Sequence, residues 1–269
     1  MPLITLTHGP KPTSHYAAWQ SSLEQVLQDL YSGAISPEDL NEDLFAHYAS
    51  SLEKAASNGL KTDLGAIQYD AAGKTPLLQI KRNVYQFAGA KTYSQLKEIN
   101  AMLYSEKGTR VSKDVFKANA TKYYNDAKII DKKYYDWLNV EYDQADITAN
   151  ATREWHDYAA NKDVKNLQYQ TVGDDRVRPA HALLNGIIKP KDDPFWKINF
   201  PPNGWLCRCD VIETNDDVTT GEINFTPDPG FDFNPGIENE LFGDSPYYPS
   251  TKKGRERLAA TVDKMAIKK

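Results

Sequence analysis

The sequence is poor in cysteine and has no long apolar run. Two cysteines in 269 residues are too few for a disulfide framework and are typical of a protein kept in a reducing compartment. No stretch of about 18 apolar residues occurs, so we expect no transmembrane helix and no membrane partner. The N-terminal segment lacks a charged region and a long hydrophobic core, so we predict no signal peptide. These absences favour a soluble cytosolic protein.

An excess of positive charge is also missing. The chain has 32 Lys and Arg residues against 37 Asp and Glu residues, a net charge of −5. We therefore expect no bulk electrostatic attraction to nucleic acid. The mean hydropathy of −0.64 is that of a soluble chain. Tyrosine is abundant, with 16 residues against 9 phenylalanines, which indicates half-buried or partner-facing aromatic surface.

Residues 1–161 are predicted to form a helical region. Apolar residues recur there at spacings of three and four, the helical period. The second helix is expected to begin at Ser36-Pro37, a Ser cap followed by Pro at the first helical position. Gly89 is a weak point inside the third helix. The predicted helices cover residues 14–32, 36–58, 76–106 and 112–161.

The last of these segments is unusually long. About 50 residues without Gly or Pro would reach about 75 Å as one straight helix. Such a length indicates a bend, a break or a partner. We place any break at Asn139 or at residues 146–148, where the helix formers are weakest.

From residue 162 the pattern changes to short strands and turns. Alternating residues predict strands over 167–172, 187–189 and 207–213, and a short helix over 179–185. The predicted fold class is α+β. A helical N-terminal half with one long helix, continuous or broken, precedes a small mixed α/β module and an extended C-terminal tail. The predicted divisions are residues 1–161, 162–250 and 251–269.

The C-terminal region is divided by charge. No Lys or Arg lies between Arg208 and Lys252, and we call residues 209–250 the acidic belt. Four phenylalanines are expected to dock it. Residues 251–269, the basic tail, contain seven Lys and Arg residues. The basic tail could fold back, or the two segments could present two faces to partners.

The chemistry-bearing residues cluster in the module. On the predicted strand, Cys207 and Cys209 share one face, and His181 could join them. Two thiolates and an imidazole could bind zinc, with Asp174, Asp175 or a water as the fourth ligand. Small buried cysteines beside a hydrogen-bonded histidine are the favoured interpretation, and a reactive Cys–His pair is a further alternative.

Charged residues flank this cluster on both sides. They could form a clamp for a phosphate or carboxylate, but an internal salt-bridge network that fixes the turns is the favoured interpretation. The acid pair before Pro194 can cap the segment that follows, where Trp196 is expected in the core. No Walker loop, GxGxxG, HExxH or GxSxG motif occurs. The charged candidate site residues are Asp174, Asp175, Arg176, Arg178, Asp192, Asp193 and Arg208.

An ordered series of motifs runs through about residues 110–236. It comprises Trp137-Leu138, Glu141-Tyr142-Asp143, Trp155, residues 173–178, His181, Leu184, Gly186, residues 192–196 and 201–205, Cys207-Arg208-Cys209, Gly230-Phe231 and Asn234-Pro235-Gly236. The order of these motifs resembles that of the phage Mu F-type minor head (head morphogenesis) proteins.

This resemblance implies a head-assembly role without an established catalytic activity. The implied partners are the portal, capsid and scaffold proteins, in the cytoplasm of a bacterial host and then in the virion head. The alternative from another class is a metal- or Cys/His-dependent hydrolase or nuclease centred on His181, Cys207 and Cys209. A third hypothesis is DNA binding through the basic tail, which should weaken steeply with salt.

Overall fold

The computed structural model describes residues 14–125, 130–221 and 223–267. The predicted α+β class is confirmed, with a helical N-terminal half followed by a small antiparallel sheet. Among these residues, no helix combines the length and apolarity needed to cross a membrane. The helices are α1 (Ser14–Ser32), α2 (Glu42–Leu60), α3 (Pro76–Ala101), α4 (Lys113–Asn125), α5 (Ile130–Ala160), α6 (Pro179–Ala182), α7 (Phe195–Asn199), α8 (Pro235–Glu238) and α9 (Lys252–Ile267).

The first helix has the predicted bounds, whereas the second begins later than predicted. The Ser36-Pro37 signal starts only one 3-10 turn, because Leu40 takes a left-handed backbone conformation with φ 58°. Asn41 caps α2 instead, and its Oδ1 accepts a hydrogen bond from the Leu44 N–H at 2.9 Å. The third helix, α3, ends at Ala101, before the predicted end.

The predicted position of a break within the long helical segment is wrong, because α5 continues through Asn139 and residues 146–148. Thr148 and Ala149 are buried, and the backbone of α5 lies against Gly59 of α2. Tertiary burial therefore overrides the weak helix propensity of these residues. Residues 126–129, between α4 and α5, lie outside the described residues.

The sheet contains β1 (Asn166–Gln170), β2 (Ile188–Pro190) and β3 (Asp210–Thr214) in the antiparallel order β2-β1-β3. Side chains alternate along the central strand, so that Leu167 and Tyr169 face the core. The third strand begins at Asp210, so the prediction that residues 207–209 are part of it is wrong. They form the loop that leads into β3.

A large hydrophobic cluster joins the helical half to the C-terminal region. Leu241 and Phe242 from the acidic belt lie in this cluster, and Phe242 stacks on Phe87 with ring centroids 3.9 Å apart. The basic tail forms α9, which folds back onto α3. Val262 occupies the space that a Cβ on Gly89 would need, so the predicted weak point is the docking position of α9.

A smaller hydrophobic cluster lies beneath the sheet. It contains Leu167, Tyr169, Leu184, Trp196, Phe200 and Val211, together with Ala151 of α5. Trp155 of α5 packs edge-on against Phe200. Since α5 also contributes to the large cluster, one helix is common to both hydrophobic cores.

A polar centre is buried inside the helical half. The Lys91 Nζ lies 2.6 Å from the Glu141 Oε2, and both side chains are fully buried. Tyr247, from the acidic belt, donates its hydroxyl to the Glu141 Oε1 at 2.8 Å. Burial raises the pKa of the Glu141 carboxyl, while Lys91 and the Tyr247 hydroxyl oppose that shift. This centre ties α3, α5 and the C-terminal region together.

We predict that Gly59→Ala destabilises the protein by about 2–3 kcal/mol. The added Cβ would lie 2.2 Å from the Asp146 carbonyl oxygen, a clash with the backbone of α5. Helix propensity alone predicts the opposite, a gain of about 1 kcal/mol. Chemical denaturation measures the difference. Lys54→Ala, at an exposed position of α2, is the matched control and should change the free energy of unfolding by less than about 0.5 kcal/mol.

We further predict that stability falls between pH 6.5 and pH 4. Burial, and then the charge of Lys91, lowers the pKa of His47 from 6.5 to about 4. The unfolded chain binds a proton in this interval while the folded chain does not, so unfolding becomes easier by about 3 kcal/mol. In denaturation curves, His47→Gln should flatten this pH dependence. An unchanged slope would contradict the assignment, and His156→Gln on the exposed face of α5 is the control.

Candidate functional site

The structure brings His181, Cys207 and Cys209 together. The His181 Nδ1 lies 3.4 Å from the Cys207 Sγ and 3.6 Å from the Cys209 Sγ. His181 is 3% exposed and Cys207 2% exposed, whereas Cys209 is half-buried. We call these three residues the His–Cys–Cys cluster. It is a compact set of soft donor atoms at the junction of α6 and the loop before β3.

Local backbone geometry places the two cysteines. Leu206 takes a left-handed conformation with φ 54°, an unfavourable state for a side chain of this kind. Its N–H donates to the Gln144 Oε1 of α5 at 2.7 Å, so a side chain of α5 holds the turn in place. Cys207 N–H then donates to the Gly204 carbonyl oxygen at 3.2 Å. The loop is therefore bound directly to the long helix.

Arg208 lies between the two cysteines in sequence and contacts different partners. Its guanidinium donates two hydrogen bonds of 2.7 Å to the two carboxylate oxygens of Asp174. Arg176 adds a contact of 3.3 Å to the same carboxylate. Hydrogen bonding to Arg208 holds the pKa of Asp174 well below its usual range. The predicted alternation of side chains thus appears in a loop rather than in a strand.

The predicted fourth ligands lie outside the cluster. Asp174 is engaged with Arg208, and Asp175 is exposed. In the part of the chain that the structure describes, no Asp or Glu side chain joins the three donor atoms, which all lie within 4.8 Å of one another.

The other charged candidates make internal contacts or face solvent. Arg178 donates to the Trp205 carbonyl oxygen at 2.6 Å. Asp193 accepts a hydrogen bond from the Phe195 N–H at 2.8 Å, but the N-cap position of α7 is Pro194, so the predicted side-chain cap is not formed there. Trp196 of α7 is fully buried. Asp192 is exposed. These contacts are those of residues that fix turns.

The pKa values of the two thiols are shifted in opposite directions. Hydrogen bonding from Cys209, and then from His181 and the Asn203 N–H, lowers the pKa of Cys207. Its hydrogen bond with Cys207, together with burial, raises the pKa of Cys209. The two thiols therefore titrate as a coupled pair, in which loss of a proton from one disfavours loss of a proton from the other.

Sequence reasoning missed the residues that support the cluster. Gln144 binds the loop, and Tyr169 donates its hydroxyl to the Asn203 Oδ1 at 2.8 Å beside the thiols. Burial raises the pKa of the Tyr169 hydroxyl. A sequence signal for Gln144 was available. It is one of three polar residues, with Glu141 and Thr148, that recur at helical spacing on the buried face of α5.

Residues 89–212, a little under half of the chain, match the family described as Phage Mu protein F like protein. Over these residues, which we call the Mu F-like region, the chain is similar to that family. The match begins earlier than the resemblance found in the sequence and ends before residues 230–236. There the Asn234 side chain caps α8 and donates to the Trp196 carbonyl oxygen.

Two curated proteins are similar to parts of this chain. The Putative capsid assembly protein F of Escherichia phage Mu is 32% identical over the matched part, which covers 26% of this chain and 25% of the relative. The Mu-like prophage FluMu F protein of Haemophilus influenzae is 48% identical over 44 residues, 16% of this chain and 11% of the relative. The chain thus spans at most about a quarter of either relative. No solved structure matches it.

We predict that Asp174→Asn lowers the melting temperature at neutral pH by weakening the pairs with Arg208 and Arg176. An ionised Asp174 with a lowered pKa stabilises the fold above the ordinary carboxyl pKa of 3.8, and that contribution is lost as the pH falls below it. Thermal melts should therefore show a constant difference from pH 7 to pH 5 that shrinks in stronger acid. The adjacent, exposed Asp175 provides the control: Asp175→Asn should melt like the wild type throughout.

Proposed function

We propose that the protein acts in phage head assembly, without catalysis, by binding the portal or capsid protein through its Mu F-like region. The observation that carries the proposal is the match of residues 89–212 to the Mu F family, whose phage Mu relative is named a putative capsid assembly protein. Assembly would take place in the bacterial cytoplasm, and the protein would then be part of the virion head.

The architecture of the matched residues supports a binding role. They run from the middle of α3 to β3 and include α5, the helix common to both hydrophobic clusters. Three of the charged candidates in this stretch, Arg208, Asp174 and Arg178, contact other residues of the same module. A rigid module of this kind can present a fixed surface with little loss of entropy on binding.

The burial of the cluster also bears on the hydrolase alternative. His181 and Cys207 have almost no exposed surface, so a substrate could reach them only after the module opened. Asp174 is committed to Arg208 and is not placed to act as a general base. A nuclease and esterase panel with His181→Ala tests this alternative directly, since activity that disappears in the variant would favour an enzyme.

Two of the basic side chains that DNA binding would use are already paired with carboxylates of this chain. Arg255 pairs with Asp244 of the acidic belt at 2.8 Å, and Arg257 pairs with Asp39 at 3.2 Å. Binding through α9 would have to compete with these pairs. We therefore place the DNA-contact function behind head assembly.

Exposed apolar side chains of the Mu F-like region are the candidate contact points. Leu183, next to the His–Cys–Cys cluster, is 68% exposed, and Trp137 on α5 is 45% exposed. Large apolar side chains at protein interfaces contribute much of the binding energy, tryptophan above all. We propose that these two residues contact the partner.

Point variants are better suited to mapping this surface than truncation after residue 161. Such a truncation would remove Phe242, which stacks on Phe87, and Tyr247, which binds the buried Glu141. The helical half would lose part of its own core and would not report on binding alone.

We predict that Leu183→Glu lowers co-purification with the co-expressed portal or capsid protein by about tenfold, because a buried carboxylate at the interface would be unpaired. Trp137→Ala should have a similar effect. The matched control is Ile267→Glu, an aliphatic side chain of similar exposure, 62%, that lies outside the Mu F-like region.

Two results would count against these proposals. If the wild-type chain separates cleanly from the portal, capsid and scaffold proteins, the head-assembly function is wrong. If the wild type binds and both variants bind equally well, the function stands and the contact surface lies elsewhere.

A further inference from the structure

We propose that His181, Cys207 and Cys209 bind one zinc ion that fixes the loop before β3 to α6. This site is independent of the head-assembly proposal, because it concerns the folding of the module and not its partner.

The distances between the donor atoms fit tetrahedral coordination. With Zn–S bonds of about 2.3 Å and a Zn–N bond of about 2.05 Å, a tetrahedral angle places N and S about 3.6 Å apart. The His181 Nδ1 lies 3.4 Å from the Cys207 Sγ and 3.6 Å from the Cys209 Sγ. All three donor atoms lie within 4.8 Å of one another, so one ion can contact them all.

The donor set selects zinc by its chemistry. Thiolate and imidazole are the ligands that zinc prefers, whereas magnesium and calcium prefer oxygen, and no carboxylate joins this cluster among the described residues. Two thiolates also neutralise the two positive charges of the ion. A neutral assembly can be buried at His181 and Cys207 without the cost of an isolated charge.

The fourth position would be filled by water. Asp174, which the sequence suggested for it, is held by Arg208 on two hydrogen bonds. Cys209 is the only half-buried member of the trio and leaves one side of the site towards solvent. The proposed coordination is therefore one nitrogen, two sulfurs and one oxygen.

Such an ion would cross-link two segments that are distant in sequence. His181 is 26 residues from Cys207, and α6 is only four residues long. A helix of one turn has little stability of its own. The loop meanwhile carries Leu206 in an unfavourable backbone state. A bond from each segment to the same ion would stabilise both at once.

The test starts with the metal content of the full-length chain. The protein is expressed with added zinc, purified without chelator on an affinity tag that contains no histidine, and analysed by mass spectrometry of the elements. We expect about one zinc per chain in the wild type. Cys209→Ser and His181→Asn should reduce the zinc content to background. His156→Asn, which changes an exposed histidine of α5, should retain it.

Two further readouts separate a built site from adventitious binding. Cobalt added to the metal-free protein should give the visible absorption of a tetrahedral ion and a thiolate-to-cobalt charge-transfer band, both absent in Cys209→Ser. Removal of zinc should lower the melting temperature of the wild type by about 5 °C and leave that of Cys209→Ser unchanged.

The proposal is overturned if the folded wild type takes up no zinc when zinc is supplied. It is equally overturned if the metal content of Cys209→Ser and His181→Asn equals that of the wild type, since the ion is then adventitious. Cys209→Ser is chosen because its side chain is half-buried, so the variant can fold even if Cys207→Ser cannot.

Discussion

The fold depends on the path of α5, which runs through both hydrophobic clusters. At one side Gly59 allows α2 to approach so closely that a single methyl group would strike the α5 backbone. Further along, Gln144 holds the loop that carries the cysteines, and the Tyr158 hydroxyl donates to the Val211 carbonyl oxygen of β3 at 2.6 Å. Through these contacts α5 fixes the small sheet relative to the helical half. The position of the His–Cys–Cys cluster therefore depends on α5 more than on the short elements that carry the three residues.

The buried pair of Lys91 and Glu141 adds a second, electrostatic constraint. Removing two charges from water is costly, and their attraction offsets that cost only with good geometry and further hydrogen bonds. The Tyr247 hydroxyl supplies one such bond, and the Lys91 ammonium also lies over the Tyr48 and Tyr247 rings. Loss of either charged partner would leave the other buried and uncompensated. The pair therefore requires α3, α5 and the acidic belt to assemble in one arrangement.

Local patterns predicted the elements well and the long-range contacts poorly. The helical period predicted the observed bounds of α1. The alternation around Arg208 correctly predicted that the two cysteines and the arginine point to different partners. The start of α2 could not be predicted, because the Ser36-Pro37 signal is genuine but Leu40 interrupts the chain after one turn. The proposed break positions in α5 were wrong because burial against α2 outweighs the weak helix propensity of these residues. No sequence pattern predicted the hydrogen bond from the Tyr247 hydroxyl to Glu141, because the two residues are far apart in the chain.

The docking of the acidic belt and α9 onto the helical half has a consequence for biosynthesis. The ribosome releases residues 14–160 long before Phe242, Tyr247 and Val262, yet the core of that half includes all three segments. Until they arrive, Phe87 lacks its stacking partner and Glu141 lacks a hydrogen bond. A prematurely terminated chain would expose this incomplete core to proteases and chaperones. Complete folding of the helical half therefore requires residues that are synthesised after the small sheet.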